Sequence, residues 1–393
     1  MRLSWRHGLA ALLLVVPAAA GALDEAAQRE RIAYGTKQME DMLVAEGKLL
    51  GDPALDAYLQ SVLVRLFPED HSRLRVRVIR DAEFNAFAVG SGNIYFNTGT
   101  LLRLQDEAQL SAILAHEGGH VLRDHAYRSW TNMKGGAAVG AVLGLGLGAA
   151  GVTPALGQLM AISSIMGYSR DLEREADATS MERLQAAGYD TAAGSEVFAR
   201  MARELKARKT PPGPYMFASH PKLEDREKTM RELAGPAAGT GARNPAEYLQ
   251  ATAAVRWLAL EQLHGRNEGM ALIQVLETEK LQDTLPPAAC FYRAEGYRLR
   301  HEPGDVEKLP TLYEQCATQA PDFAPTHAAL GRLRLKAGDP AGAATAYARY
   351  LELAPQGKEA GFIRAALQRL QPAPSPGVSA PNTGAPASPV PQT

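Results

Sequence analysis

The sequence is poor in cysteine and in net charge. Only two cysteines occur among 393 residues, so at most one internal disulfide bridge can form. The 42 basic and 43 acidic side chains nearly cancel, and net charge therefore gives no argument for nucleic acid or an anionic surface as a partner. The chain is nevertheless longer than one hydrophobic core usually supports, so two domains are expected.

The two ends of the chain lack the pattern of a folded domain. Residues 1–22 combine a basic start, an apolar run and small residues, which is typical of a secretory signal peptide; the alternative is a short membrane anchor. The apolar run at 9–16 is well below the roughly 20 residues that span a bilayer, so we expect export and cleavage. Residues 371–393 are rich in proline and carry no charge, which predicts a disordered tail.

A charge-free, glycine-rich segment also occurs inside the chain, from Gly135 to Ser169. One interpretation is a hairpin that inserts into a membrane, or a lid; the other is a pair of closely packed, buried helices. Because each apolar run is too short to span a bilayer, we favour burial or a mobile lid. Contact of residues 135–167 with a membrane stays the alternative, and membrane association is not required.

Apolar periodicity predicts a mainly α protein with a small β-sheet. Helical spacing covers 24–66, 107–130 and 171–208, and short strands are predicted at 74–81 and 93–97. Extended peptides can bind as an added strand at a sheet edge through backbone hydrogen bonds, and proteases often use this mode. We therefore expect the strand 93–97 to offer such an edge to a substrate.

The pentapeptide HEGGH at 116–120 is the first candidate for chemistry. His116 and His120 are four residues apart in a predicted helix, so both imidazoles leave the same face and can bind one metal ion. Glu117 lies beside them and can reach a metal-bound water without being a ligand. Imidazole and carboxylate suit zinc, and an open fourth position makes such a site catalytic. The motif is short and therefore needs a third ligand to be convincing.

The segment DLEREAD at 171–177 offers that third ligand. Glu173 and Asp177 are four apart on a predicted helix, so one can bind zinc while the other accepts the free N–H of a ligand histidine. For Asp177 the alternative is a salt bridge on the helix surface. Glu175 points elsewhere and is predicted to be a solvated charge, and His125 is predicted to be structural.

Four motifs in this order resemble one known family of zinc peptidases, the family that includes HtpX and the CAAX prenyl proteases. The motifs lie at 85–99, 106–125, 169–177 and 219–226. The resemblance implies a gluzincin-like HExxH zinc metallopeptidase domain over 23–235. The helical half that follows is similar to the periplasmic branch of this family, which carries tetratricopeptide repeats.

The resemblance also assigns roles to individual residues. It implies one zinc ion on His116, His120 and Glu173, with Glu117 as general base and acid. It further implies that His220 lies near the metal and that Arg226 helps the site, and we count both as catalytic candidates.

Each of these two candidates has two interpretations. His220 precedes a proline in a loop, so it can swing onto the zinc and block it, or it can hydrogen-bond substrate. Arg226 can stabilise the tetrahedral oxyanion, or it can pair with a carboxylate.

One position departs from the family. Relatives usually carry an aliphatic residue where this chain has Gly118. Two adjacent glycines cost a helix about 2 kcal/mol relative to alanine. Residue 118 lies away from the metal face, so we expect an effect on packing, against the glycine-rich run 135–151, rather than on the ligands.

The residues that follow a predicted linker at 236–245 show a weak sequence repeat. Within 246–370, Tyr313 and Tyr347 are 34 residues apart, which is the period of the tetratricopeptide repeat, and the unit 324–357 fits best. Stacked repeats leave a concave surface that usually binds protein segments. The alternative is a generic helical bundle.

The two cysteines fall within one predicted repeat unit. Cys290 opens its first helix and Cys316 lies late in its antiparallel second helix, so the two can approach each other. We predict a disulfide bridge between them, against two buried thiols.

The predicted function is a periplasmic zinc-dependent endopeptidase that acts on misfolded or stalled envelope proteins. Zinc would polarise the scissile carbonyl, and Glu117 would move the proton from water to the leaving amine. By resemblance, we expect a role in outer-membrane protein quality control and assembly. The expected partners are unfolded or misassembled envelope proteins and the outer-membrane β-barrel assembly machinery, docked on the repeat domain. The rival hypothesis is a chaperone or adaptor whose protease site is latent.

Overall fold

The structure is a computed structural model that describes residues 25–89, 92–132, 168–207 and 223–370. Several predictions concern residues outside these ranges. They are the signal peptide at 1–22, the segment 135–167, the loop residue His220 and the tail at 371–393.

The described chain is mainly helical with one small sheet, as predicted. The elements up to residue 132 are α1 (Glu25–Ala45), α2 (Pro53–Leu66), β1 (Arg75–Ile79), β2 (Ala86–Ala88), β3 (Asn93–Asn97), α3 (Thr98–Arg103), α4 (Glu107–Leu122) and α5 (His125–Asn132). The next are α6 (Arg170–Ala186), α7 (Ala192–Ala207), α8 (Leu223–Ala234) and α9 (Pro245–Gly265). The last are α10 (Gly269–Ile273), α11 (Ala289–Arg300), α12 (Asp305–Gln319), α13 (Ala324–Lys336), α14 (Pro340–Leu353) and α15 (Ala360–Leu370). Among the described helices, none is both long enough and apolar enough to cross a membrane.

The described residues fall into two compact units. Those of the first belong to Met1–Ala202 and Pro212–Ala251, and those of the second to Arg203–Pro211 and Thr252–Thr393. The division after Ala251 lies within α9, C-terminal to the stretch 236–245 that the sequence suggested as a linker.

The sheet of the first unit places β3 in its centre. The strand order is β1-β3-β2, with β1 parallel and β2 antiparallel to β3. The expectation that 93–97 forms a sheet edge is therefore wrong, because both sides of β3 are paired. The edge next to α4 is instead β2, a strand of three residues that is too short to show the alternation by which strands are recognised.

The two adjacent glycines of α4 allow close packing, Gly119 against α6 and Gly118 against Phe67. A Cβ atom at Gly119 would lie 3.2 Å from the Thr179 side chain, and one at Gly118 would lie 2.6 Å from the ring of Phe67. The two glycines therefore lower the helix propensity of this segment, but they allow neighbouring groups to pack closely on two sides of α4. The predicted packing role of Gly118 is seen as contact with Phe67, whereas the predicted partner at 135–151 lies outside the described residues.

The second unit is built from successive helices that pack on their neighbours. α11 packs on α12, α13 on α14, and α14 on α15. Gly331 of α13 lies directly against the ring of Tyr347, which leaves no room for a side chain. A disulfide bridge joins Cys290 of α11 to Cys316 of α12, with a Cα–Cα distance of 5.4 Å, as predicted. The tetratricopeptide classification itself stays a prediction.

Candidate metal centre

Three buried side chains from α4 and α6 converge at one point in the first unit. The Nε2 atoms of His116 and His120 are 3.0 Å apart. Carboxylate oxygens of Glu173 lie 3.6 Å from Nε2 of His116 and 3.7 Å from Nε2 of His120. All three residues are at least 95% buried. They form the group of ligand atoms, all within 4.8 Å of one another, that can hold a metal ion.

The spacing of these atoms fits a zinc ion. Two ligands bound at 2.0–2.1 Å and at the tetrahedral angle lie about 3.4 Å apart. The three observed separations bracket that value. Two imidazole nitrogens and one carboxylate oxygen also form a donor set that is common at catalytic zinc sites. The residues present therefore fit the predicted metal.

Asp177 contacts the Nδ1 atom of His116, the ring nitrogen on the other side from Nε2. Its Oδ1 atom lies 3.1 Å from Nδ1 of His116, and the side chain is buried, so the alternative of a salt bridge on the helix surface is wrong. Burial alone would raise the pKa of this carboxyl. The Arg226 guanidinium beside it and the contact with His116 outweigh burial and lower the pKa of Asp177 to about 2. Asp177 is therefore an ionised acceptor that can fix the orientation of His116.

Arg226 of α8 neutralises the carboxylates of the site. Its guanidinium lies 3.1 Å from Glu173 Oε2 and 2.6 Å from Asp177 Oδ1. Its Cζ atom is 4.0 Å from the centre of the Phe198 ring, so the buried cation also has an aromatic partner. Of the two interpretations of Arg226, the structure shows the pairing with carboxylates.

Glu117, the predicted general base, lines a cavity next to the candidate ligands. It follows His116 on α4, is only 3% exposed, and lines the same cavity as His116. That cavity has mostly apolar walls, formed by Ala86, Ile113, Val197, Phe198 and Met201.

A second cavity lies on the His120 side of the centre, where Tyr168, Ala88 and Val89 line it. Since Ala86 belongs to the first cavity and Ala88 to the second, β2 runs past the metal centre with one cavity at each end.

Two residues that were not predicted to take part in the site are linked to His120, one directly and one through the other. His125, predicted only as structural, has its Nδ1 2.9 Å from Nδ1 of His120. Glu175 lies 3.2 Å from the other ring nitrogen of His125 and accepts two hydrogen bonds from Arg128, so this partly exposed carboxylate points away from the metal cluster, as predicted, but is paired with neighbouring side chains. Those bonds from Arg128 are the main reason why the pKa of Glu175 falls to about 2.

Tyr168 completes the contacts of His120. Its ring stacks on the His120 ring with centroids 3.9 Å apart and planes 15° from parallel. The only signal for it in the sequence was its place just before α6, which is too weak for a prediction.

The segment that contains the candidate metal centre is similar in sequence to a family of peptidases. Residues 53–234 match the sequence model of Peptidase family M48. The matched range contains both α4 and α6, which supply the candidate metal ligands.

Several named proteases are similar in sequence to this chain. A putative beta-barrel assembly-enhancing protease of Vibrio cholerae is 32% identical over 217 residues, which is 52% of this chain and 44% of that protein. The beta-barrel assembly-enhancing protease of Escherichia coli is 26% identical over 212 residues, 50% of this chain and 43% of that protein. The mitochondrial metalloendopeptidase OMA1 of Arabidopsis thaliana is 26% identical over 157 residues, 40% of this chain and 31% of that protein. The matched segments thus span less than half of each relative, and the similarities indicate a metalloprotease.

Proposed function

We propose that this protein is a zinc-dependent endopeptidase that cleaves extended segments of misfolded or stalled proteins in the bacterial envelope. The observation that carries the proposal is the buried cluster of His116, His120 and Glu173 with Glu117 beside it, inside a domain of Peptidase family M48. The three ligands would hold zinc, which supplies a Lewis acid that polarises a carbonyl and lowers the pKa of water.

The side chains around the ligands have separate tasks in peptide hydrolysis. Glu117 accepts the proton of the attacking water and delivers it to the leaving amine. Asp177 holds the ring of His116, and Arg226 holds both Asp177 and Glu173 in place. The first cavity, which Glu117 lines, has mostly apolar walls.

The edge of the sheet gives the substrate a place to bind. Asn85 and Val89 form backbone hydrogen bonds to β3, so the alternate residues Ala86 and Ala88 direct their N–H and C=O groups away from β3. An extended peptide added there passes the metal centre, and an apolar side chain fits the cavity beside His116. Backbone recognition of this kind favours unfolded or unassembled chains, which have extended segments to offer.

The biological setting is supported by similarity alone. Two relatives are named for enhancing β-barrel assembly, so we place this protein in outer-membrane protein quality control and assembly, in the periplasm. Its second unit would be a tetratricopeptide-type domain that docks substrates or the assembly machinery. The packing of Gly331 against Tyr347, 16 residues later in a neighbouring helix, supports that type of repeat.

The proposal is tested by replacing Glu117 with Gln, which keeps the size of the side chain and removes the base. We expect this variant to keep its zinc and its fold, and to cleave an unfolded substrate such as reduced casein at least about 100-fold more slowly. The matched control is Glu232→Gln, an exposed carboxylate on α8 that pairs with Lys228; it should cleave like the unmodified protein. Undiminished cleavage by the Glu117→Gln variant would refute the proposed mechanism.

The rival function is a chaperone or adaptor with a latent protease site. It predicts that cells whose only copy of this protein is the Glu117→Gln variant assemble outer-membrane proteins normally. The protease proposal predicts that these cells show an assembly defect as large as that of cells lacking the protein.

A further inference from the structure

A chain of polar contacts leads from the metal ligand His120 to the surface of the first unit. Nδ1 of His120 is 2.9 Å from Nδ1 of His125, and Nε2 of His125 is 3.2 Å from Oε2 of Glu175. Arg128 donates to both oxygens of Glu175, at 2.7 and 2.9 Å. We propose that His125 is a positioning residue that orients His120 for metal binding, and that Glu175 and Arg128 hold His125 in the tautomer this requires.

The direction of each hydrogen bond follows from the first one. A neutral histidine that offers the Nε2 lone pair to a metal carries its proton on Nδ1. The Nδ1–H group of His120 therefore donates to Nδ1 of His125, which must accept. His125 then carries its own proton on Nε2 and donates it to Glu175. The Glu175 carboxylate accepts this hydrogen bond, and two further hydrogen bonds from Arg128 hold the carboxylate in place.

The backbone explains how a residue five positions after His120 reaches its ring. On one continuous helix His125 would lie on a different face. Here α4 ends at Leu122, and Asp124 adopts a left-handed conformation with φ of 53° before α5 begins at His125. The break turns His125 back toward the site, where its side chain is completely buried. A buried ring with both nitrogens engaged can hold only one orientation.

The two ligand histidines thus have partners of different kinds. His116 meets the carboxylate of Asp177 directly, whereas His120 meets a carboxylate through the intervening His125. Groups that hold a metal-bound histidine from behind typically contribute 10- to 100-fold to metal affinity. We expect His125 to contribute to zinc affinity within about that range.

Two substitutions of His125 separate orientation from mere packing. The Oδ1 atom in His125→Asn takes the place of the ring Nδ1 and can still accept from His120. His125→Leu fills similar volume but accepts nothing. If His125 only fills space, the apolar variant should bind zinc at least as well as the polar one. If His125 orients His120, His125→Leu should bind zinc about 10- to 100-fold more weakly than the unmodified protein, and His125→Asn should recover most of the loss.

Zinc affinity is measured on the full chain by competition with a chromophoric chelator, without reference to cleavage. The control is His71→Leu in the same unit, where the ring contacts the Pro68 carbonyl at 2.9 Å instead; its zinc affinity should not change. Equal affinities of the His125→Leu variant and the unmodified protein would overturn the proposal. If His125→Leu does not fold, Glu175→Gln, which removes the negative charge behind His125, must weaken zinc binding, and unchanged affinity there would also overturn it.

The inference rests on the proposed zinc site, and its failure can be told apart from failure of that site. If the unmodified protein binds no zinc, the proposed function itself fails. If it binds zinc and both His125 variants bind it equally well, only the positioning role fails.

Discussion

At the scale of single residues, the main feature of the metal centre is that it contains buried charges. Glu173 and Asp177 are two carboxylates with almost no exposure to water, and Arg226 contacts both. Burying an ion is costly unless a partner of opposite charge stays beside it. The arginine is therefore needed for the folded state before any question of catalysis arises.

Replacing Arg226 with Ala should destabilise the protein, because it leaves two buried carboxylates without their shared cation. Removal of one partner from a buried pair typically costs about 3–5 kcal/mol in the free energy of unfolding. Denaturant unfolding, followed by circular dichroism, measures this loss. A lysine at the same position should recover only part of it, since one ammonium group cannot reproduce the contacts of the planar guanidinium.

The alternative role of Arg226 makes the opposite prediction. If the residue acted only on the oxyanion of the reaction, the Arg226→Ala protein would be as stable as the unmodified one and would lose only its cleavage rate. An unchanged unfolding midpoint would thus contradict the structural role.

The ligands themselves could be predicted from the sequence, whereas their supports were found only in part. Helical spacing of four paired His116 with His120 and Glu173 with Asp177, and the family resemblance chose Glu173 as the ligand; the structure brings these side chains together. His125 lies five residues after His120, and regular spacing places it on the wrong face. It reaches the site only because Asp124 interrupts the helix with a left-handed backbone conformation, and nothing in the sequence requires that conformation.

At the scale of elements, α4 combines a metal face with two tightly packed sides. Gly118 leaves room for the Phe67 ring, and Gly119 leaves room for α6, which carries Glu173. The distance between the ligand helices thus depends on a residue that is not itself a ligand. This accounts for an unusual pair of glycines that otherwise weakens the helix.

Replacing Gly118 with Ala should destabilise the protein despite the better helix propensity of alanine. The added methyl group would lie 2.6 Å from the ring of Phe67, so the ring or the helix must move. The matched control is Gly35→Ala in α1, where the new methyl group meets nothing within 4 Å and should stabilise by up to about 1 kcal/mol. Thermal unfolding of both variants measures the contrast, and two shifts of the same upward sign would contradict the packing argument.

Not every strand of the sheet can be recognised from the sequence pattern. The strands observed at 75–79 and 93–97 were predicted, the first of them as 74–81, because five or more residues alternate or have side chains that favour β-structure. β2 has only three residues, and its role as the edge follows from pairing with β3. The substrate edge therefore could not be assigned before the strand order was known.

At the scale of the whole molecule, the sequence suggested two folded parts, and the described residues form two compact units. The helical class and the disulfide bridge between Cys290 and Cys316 agree with the predictions. Export, the partners and the repeat classification rest on patterns and on similarity, and they remain proposals for the complete protein. The proposed function depends on the claim that the first unit holds a functional zinc centre.

Zinc content is the measurement that tests this claim most directly. The protein is purified without chelators and analysed for zinc by elemental analysis beside a Glu173→Ala variant, which loses one of the three ligands. If the first unit holds a zinc site, the unmodified protein should contain about one zinc ion per chain, and the variant should contain far less after the same dialysis. An unmodified protein without zinc, or a Glu173→Ala variant that retains it fully, would contradict the account.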